Sequence, residues 1–283
     1  MVFLKFIAIL LMSIIHNIQC SSENPYCDLH CNYGDDTAHV HTVCKRDEVK
    51  CGPDPKCGPD FKMIGLTDSQ RQMILNMHNA LRCRVGLGKE LRGHQPSAKN
   101  MRIMTYDREL EFIAQCWANA CNGAALIHDE CRRTQKFEHV GQNLGYVNSS
   151  VNNIDVTDAM QRLIRYWYDE VAIFKNEWVL DTRDRGPDIK VGHYTQMMWA
   201  DTYRIGCAGT HYVVKLPDGT PSYEFYFVCN YGPGGNYIGL PVYLPGEPGT
   251  GCPQKLKHNN KCGLCGSFVN VTTHENFYSY FNL

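Results

Sequence analysis

An imidazole and an indole share the run Gly192-His193-Tyr194-Thr195-Gln196-Met197-Met198-Trp199. His193 is a group there that can ligate a metal or act as a base near neutral pH. Trp199 is a large aromatic anchor. A second unusual run follows, Tyr226-Phe227-Val228-Cys229-Asn230-Tyr231-Gly232-Pro233-Gly234-Gly235-Asn236-Tyr237. Other chemistry-bearing residues are scattered. His78 falls on the apolar face of a predicted helix, beside Asn79 and Arg82, where a buried, hydrogen-bonded role is expected. His258 with Cys262 and Cys265 has the ligand types zinc takes, but oxidised pairs are expected outside the cell. Asp184-Arg185-Gly186-Pro187 is not an Arg-Gly-Asp motif. The chain holds neither a Gly-x-Ser-x-Gly elbow nor a His-Glu-x-x-His helix, so two common routes to hydrolysis are missing.

These residues need a compartment and a scaffold. Lys5 precedes a short apolar run over 6–15, followed by small and polar residues. That pattern predicts a secretory signal over 1–20; the run is too short for the ~20 apolar residues a membrane helix needs. Cleavage after Cys20 takes one of 15 cysteines and leaves 14, an even number suited to disulfides in a secreted chain. Asn148-Ser149-Ser150 and Asn270-Val271-Thr272 are glycosylation sequons, predicting modification at Asn148 and Asn270. The net charge is −1, without the basic footprint of a nucleic-acid partner. No later stretch predicts a transmembrane segment. The reading is a secreted, extracellular protein.

Residues 21–65 are rich in Cys, Pro and Gly with little apolar periodicity, so this extension is expected to rely on disulfides. Thr67 and Gln70 form a capping-box pattern at the start of a helix carrying Ile74, Met77, His78 and Leu81. Asp107 is placed to cap a second helix, with Leu110, Ile113, Trp117 and Cys121 as its stripe. Asp155 or Thr157 opens a third, with Met160, Leu163, Ile164, Trp167 and Val171 facing the core. Then the period changes. Residues 205–216 and 223–230 read as strands about the turn Pro217-Asp218-Gly219-Thr220. Folding there brings Cys207 to Cys229, which predicts a cross-strand disulfide. Helices first and strands later make an α+β domain. It is expected over 66–244, before the Pro/Gly linker that opens a Cys-rich C-terminal extension over 245–283.

The two runs quoted first, with His78-Asn79-Ala80-Leu81-Arg82, Trp117-Ala118-Asn119-Ala120-Cys121, His128-Asp129-Glu130-Cys131 and Gly141-Gln142-Asn143, resemble the CAP superfamily (cysteine-rich secretory, antigen 5 and pathogenesis-related 1 proteins). The likeness is to the insect venom antigen 5 branch. It implies a three-layer α-β-α sandwich with disulfide-rich N- and C-terminal extensions. It implies the pairs Cys27–Cys44, Cys31–Cys131 and Cys207–Cys229, and Cys121 with either Cys51 or Cys57. Cys83 and Cys116, on two predicted helices, are suggested as a further pair; the partners of Cys252, Cys262, Cys265 and the spare of Cys51 and Cys57 stay open.

The resemblance also implies a cleft lined by His128, Gln142, Glu170 and His193. His128, Glu170 and His193 are the candidate ligands for a divalent, zinc-like ion. Gln142 stands where many relatives carry Glu; an amide supplies no negative charge and is a poor base. The leading functional reading is therefore a non-enzymatic, antigen 5-like protein acting by extracellular binding, as an effector or allergen in venom or saliva, or as a factor in haemolymph, gut or reproductive fluid. The alternatives are a carrier of a sterol, fatty acid or eicosanoid, and a metal-dependent hydrolase. Partners are expected to be an extracellular protein or a small lipid, met through loops at 86–99, 148–155 and 173–191. Aromatics at 166–178 do not fit a sterol-binding spacing.

Overall fold

The computed structural model describes residues 24–32, 37–186, 188–254, 256–259 and 261–268. The predicted signal, Cys20 and the Asn270 sequon lie outside them. The central hairpin is built from β6 (Arg204–Lys215) and β7 (Pro221–Gly232), paired in antiparallel register along their full lengths. Asp218 shapes the turn by accepting from the Thr220 N–H at 2.9 Å. Gly219 takes a positive φ of 84°, a conformation suited to glycine. On the other edge of β7 lies β5 (Gly141–Ser149), also antiparallel. Two short strands complete the sheet on β6: β3 (Lys62–Ile64), antiparallel, and β4 (Thr105–Tyr106), parallel. Sequence reasoning assigned 62–64 to the extension, yet this segment supplies a sheet edge.

Alternation along β7 makes the layers. Phe225, Phe227, Cys229 and Tyr231 face one core with residues of three helices: α2 (Asp68–Gly86), α4 (Val156–Asp169) and α5 (Gly192–Met198). Tyr226 and Val228 face the other side, packing with Ala114 and Ala118 of α3 (Arg108–Ala118). The result is the three-layer α-β-α arrangement.

The helices start where the sequence places them. Thr67 and Gln70 form both halves of the capping box, at 3.2 and 2.9 Å. Asp107 accepts from the Glu109 and Leu110 N–H groups, both at 3.1 Å. Asp155 caps α4 through the Thr157 and Asp158 N–H groups. Thr157 instead accepts from Gln70 Nε2 at 2.9 Å, joining two helix starts. Arg82, fully buried, donates to the carbonyls of Arg102, Met197, Trp199, Ala200 and Thr202. It fastens α2 to the segment before β4 and to the segment joining α5 to β6.

Seven disulfides use all described cysteines. The pairs are Cys27–Cys44, Cys31–Cys131, Cys51–Cys116, Cys57–Cys121, Cys83–Cys262, Cys207–Cys229 and Cys252–Cys265. Cys121 therefore takes Cys57. The suggested Cys83–Cys116 pair does not form. α3 turns Cys116 outward, into a cluster with Tyr26, Val43 and Cys51 of the N-terminal extension. Cys83 instead meets the C-terminal tail, where Leu264 is buried in the main core. Cys262 and Cys265 are thus both oxidised, and His258 has no thiolate beside it.

Candidate functional site

His193 sits on the first turn of α5, 29% exposed at its side chain. Its Nδ1 lies 2.6 Å from Glu170 Oε1. The carboxylate's other oxygen accepts from the Tyr194 N–H at 2.9 Å. Glu170 follows α4, so this pair ties the end of one helix to the start of another. The Nδ1–H donates to the carboxylate, which leaves Nε2 as the ring nitrogen not bonded to Glu170. The ring is held flat against Trp167, 6.0 Å away at 17°. Trp167 stacks in turn on Phe227 of the sheet and donates its indole N–H to the Leu144 carbonyl.

His128 reaches the same cleft from the loop before β5. Gln142 Nε2 donates to Asp129 Oδ1 at 2.9 Å and to Asn230 Oδ1 at 3.0 Å. That fixes the amide, so Oε1 is left facing His128 Nδ1 at 2.8 Å. His128 must then donate through Nδ1, leaving Nε2 as its lone-pair nitrogen. Its edge is open at the rim, but surrounding protein, followed by the Arg132 charge, draws its pKa below the usual histidine value. Asp129 is buried and bonded to Arg132, which, with Thr42 and Gln142, holds it charged against its desolvation.

The two imidazoles line one cleft of about 670 Å³, shared with residues 181–186 and 189–192. Its base is a polar relay. Asn143 donates to the His193 carbonyl and to the Tyr231 hydroxyl, both at 3.2 Å. The Tyr231 hydroxyl lies 3.0 Å from His78 Nε2, and His78 Nδ1 lies 2.8 Å from the Ile74 carbonyl. His78 is thus buried and hydrogen-bonded.

The structure brings His128, Gln142, Glu170 and His193 to one place, but not into one ligand set. Both Glu170 oxygens are engaged, so the carboxylate backs His193. Among the described residues no group of three His, Cys, Asp or Glu is arranged to hold a metal. What remains for a cation is the Nε2 of each imidazole, with solvent. Of the threonine hydroxyls lining the cleft, Thr195 donates to the Val191 carbonyl at 3.0 Å, and Thr182 is buried with no hydrogen-bond partner and so no base to activate it; every described cysteine is disulfide-bonded.

Sequence reasoning missed Asp129, Asn230 and Asn143. Asp129 adjoins His128, but its role depends on Gln142 crossing from β5. Asn230 was legible as a polar residue inside an apolar strand run. Trp199 anchors as expected, 5% exposed and packed so closely on Gly235 that a Cβ there would clash with the indole.

Residues 75–231 match the family model of CAP, the cysteine-rich secretory protein family. Venom allergen 5 of Polistes dominula is 39% identical over 239 residues, covering 83% of this chain and 95% of the relative. Venom allergen 3 of Solenopsis invicta is 42% identical over 208 residues, covering 72% and 83%. The solved structure of BmVAL-1 superposes with a TM-score of 0.58 at 29% identity, covering 72% of this chain and 97% of that one. The crystal structure of NaASP2 with Zn²⁺ gives 0.57 at 32%, covering 71% and 97%. The chain belongs to the CAP family. Within it, the likeness is to the venom allergen 5 branch.

Proposed function

We propose that this is a secreted, non-enzymatic antigen 5-type protein that acts by binding an extracellular protein partner. The observation that carries the reading is the closed circuit of the cleft, in which Glu170, Gln142, Asp129 and Thr195 are all committed to neighbours within the fold. Such a cleft braces helices to sheet and leaves no activated nucleophile. Seven disulfides suit an oxidising extracellular fluid, and the venom allergen relatives support a venom or allergen-type protein. The segments 181–186 and 189–192 bring Asp181, Arg183, Asp184, Arg185 and Lys190 to the cleft beside the apolar Phe174, Ile189, Val191 and Ile238, a mixed lining whose charges pair with a polar protein partner.

A second reading concerns a cation. His128 and His193 are the residues that would hold a divalent ion, with Glu170 fixing the His193 tautomer. Two imidazoles facing one cleft support weak, solvent-completed binding, and the NaASP2 structure contains Zn²⁺. Such an ion would supply Lewis acidity at the cleft; the side chains themselves only bind and orient.

The test uses protein secreted from cells expressing the full chain. Its N-terminus should begin at Ser21, and it should hydrolyse ester, peptide and phosphoester substrates no faster than His193→Ala, with or without added Zn²⁺. Turnover that His193→Ala abolishes overturns the non-enzymatic reading, and retention inside the cell overturns secretion.

A further inference from the structure

Away from the cleft, three cations converge on one aromatic ring. The Arg102 guanidinium lies 3.7 Å from the Tyr203 ring centroid, Lys136 Nζ 5.4 Å and the Arg204 guanidinium 5.8 Å. They come from distant points in the chain, so no basic run announces them. Charges this close to one centroid lie within about 12 Å of each other, a few ångströms beyond the ~8 Å screening length at physiological salt, so their repulsion is damped but not abolished. Among the described residues none of the three has a carboxylate within ion-pair distance. Asp201 and Glu109 act only at longer range, on Arg102 and Lys136 respectively. Burial, with Arg204 nearby, draws the Arg102 pKa below its ordinary value.

The backbone holds these positions still. The Arg102 carbonyl is clamped twice by Arg82, and its N–H donates to Ala200. Arg204 opens β6, paired with Gly232 and Thr105, and Tyr203 just before it bonds Gly232 and Thr105 through its backbone. Lys136 sits in a turn closed by the Thr134 hydroxyl. The Nε of Arg102 and of Arg204 are both buried without an acceptor. Apart from a long 3.5 Å contact from Arg204 Nη1 to the Tyr106 carbonyl, the outer guanidinium nitrogens of the two arginines have no hydrogen-bond acceptor among the described residues.

We propose that Arg102, Lys136 and Arg204 around Tyr203 form a binding site for sulfate groups of an extracellular sulfated polysaccharide. Planar guanidinium groups pair with tetrahedral oxyanions through parallel hydrogen bonds, and fixed side chains lose little entropy on doing so. A chain bearing repeated sulfates relieves the mutual repulsion of all three cations at once. None of the four residues lines the cleft, so the site stands whether or not the cleft binds anything.

The test is calorimetry of the full secreted protein with a heparin-derived octasaccharide. The affinity should fall about 20-fold between 50 and 200 mM NaCl, as expected for release of counterions from roughly three contacts. Arg102→Gln with Arg204→Gln should weaken binding at least tenfold while leaving the thermal midpoint within a few degrees. Lys136→Glu, at an exposed position, should weaken it independently and serves if the double variant fails to fold. Full affinity in Lys136→Glu, equal binding of desulfated heparin, or tighter binding of a DNA duplex of matched charge would each overturn the proposal.

Discussion

His78 should make this protein acid-labile, through a proton it cannot accept. The ring is fully buried in α2, and burial lowers its pKa to about 4, against an unfolded value near 6.5. The hydrogen bonds explain why the neutral form is held. Nδ1 already donates to the Ile74 carbonyl, so Nε2 must accept from the Tyr231 hydroxyl. Protonating Nε2 would set two donors against each other. A group with a depressed folded pKa contributes fully above its unfolded pKa, and that contribution drains away as pH falls toward the folded value. Integrating the difference in proton uptake gives a loss of about 2.4 kcal/mol between pH 7 and pH 4.5 from this one ring. His78→Gln removes the titration while keeping an acceptor for Tyr231. Loss of the Ile74 bond should cost it about 1–2 kcal/mol at pH 7. The two curves should therefore cross, with the variant the more stable at pH 4.5. Urea unfolding with disulfides intact, at both pH values and with equal m-values, measures this directly. His41, also lowered to about 4 by burial, contributes equally to both proteins and cancels. Parallel losses in wild type and variant would refute the reasoning.

Arg82→Met should take a donor from five carbonyls, of which those of Trp199 and Ala200 keep a backbone partner, and destabilise the fold by at least about 3–5 kcal/mol, read as a large drop in urea midpoint or loss of secreted protein. Cys83→Ser with Cys262→Ser should release the tail from α2, giving new tryptic cuts between 252 and 268 while the core fragment persists; an unchanged digestion pattern would show that the tail is held by other contacts. Titration with Zn²⁺ should shift the Nε2 resonances of His128 and His193 first, and perturbation confined to other histidines would remove the cleft from consideration.

The parts of the fold set by local chemistry were legible. Capping side chains at Thr67, Asp107 and Asp155 mark helix starts because each must satisfy backbone donors within three residues. The hairpin was legible because alternation and a turn signal coincide. β5 was not, because Gly141-Gln142-Asn143 breaks the apolar alternation: those side chains serve the cleft or admit Gln196 rather than fill core. Strands of two or three residues, such as β4, carry no periodicity to read. The site was visible only as a resemblance. Its residues lie far apart in sequence, and nothing local in Glu170 announces that both oxygens are spent on α5. The Cys83–Cys262 bridge spans 179 residues, so only the assembled fold identifies the partners.

Gln142 is better understood as the partner Asp129 requires than as a weakened acid. Asp129 is buried, 4% exposed, with Arg132 as its bonded cation. Gln142 offers it a donor, then spends its own oxygen on His128. In Gln142→Glu a second carboxylate would stand about 2.9 Å from the first, a repulsion of roughly 6 kcal/mol at an effective dielectric of 20 before Arg132 offsets part of it. The new carboxyl should escape by keeping a proton, so its folded pKa rises above its unfolded value. The variant should then match wild type near pH 4 and lose stability as pH climbs through that raised pKa. Thermal midpoints of the two proteins should diverge steadily between pH 5 and 8. A constant offset across that range would mean that neither carboxyl holds an extra proton in the folded state, as when the loop carrying His128 has moved aside; which of the two keeps the proton does not change the slope. If divergence is seen, the amide is what lets a buried carboxylate persist here, and the charge missing from the cleft follows from that requirement.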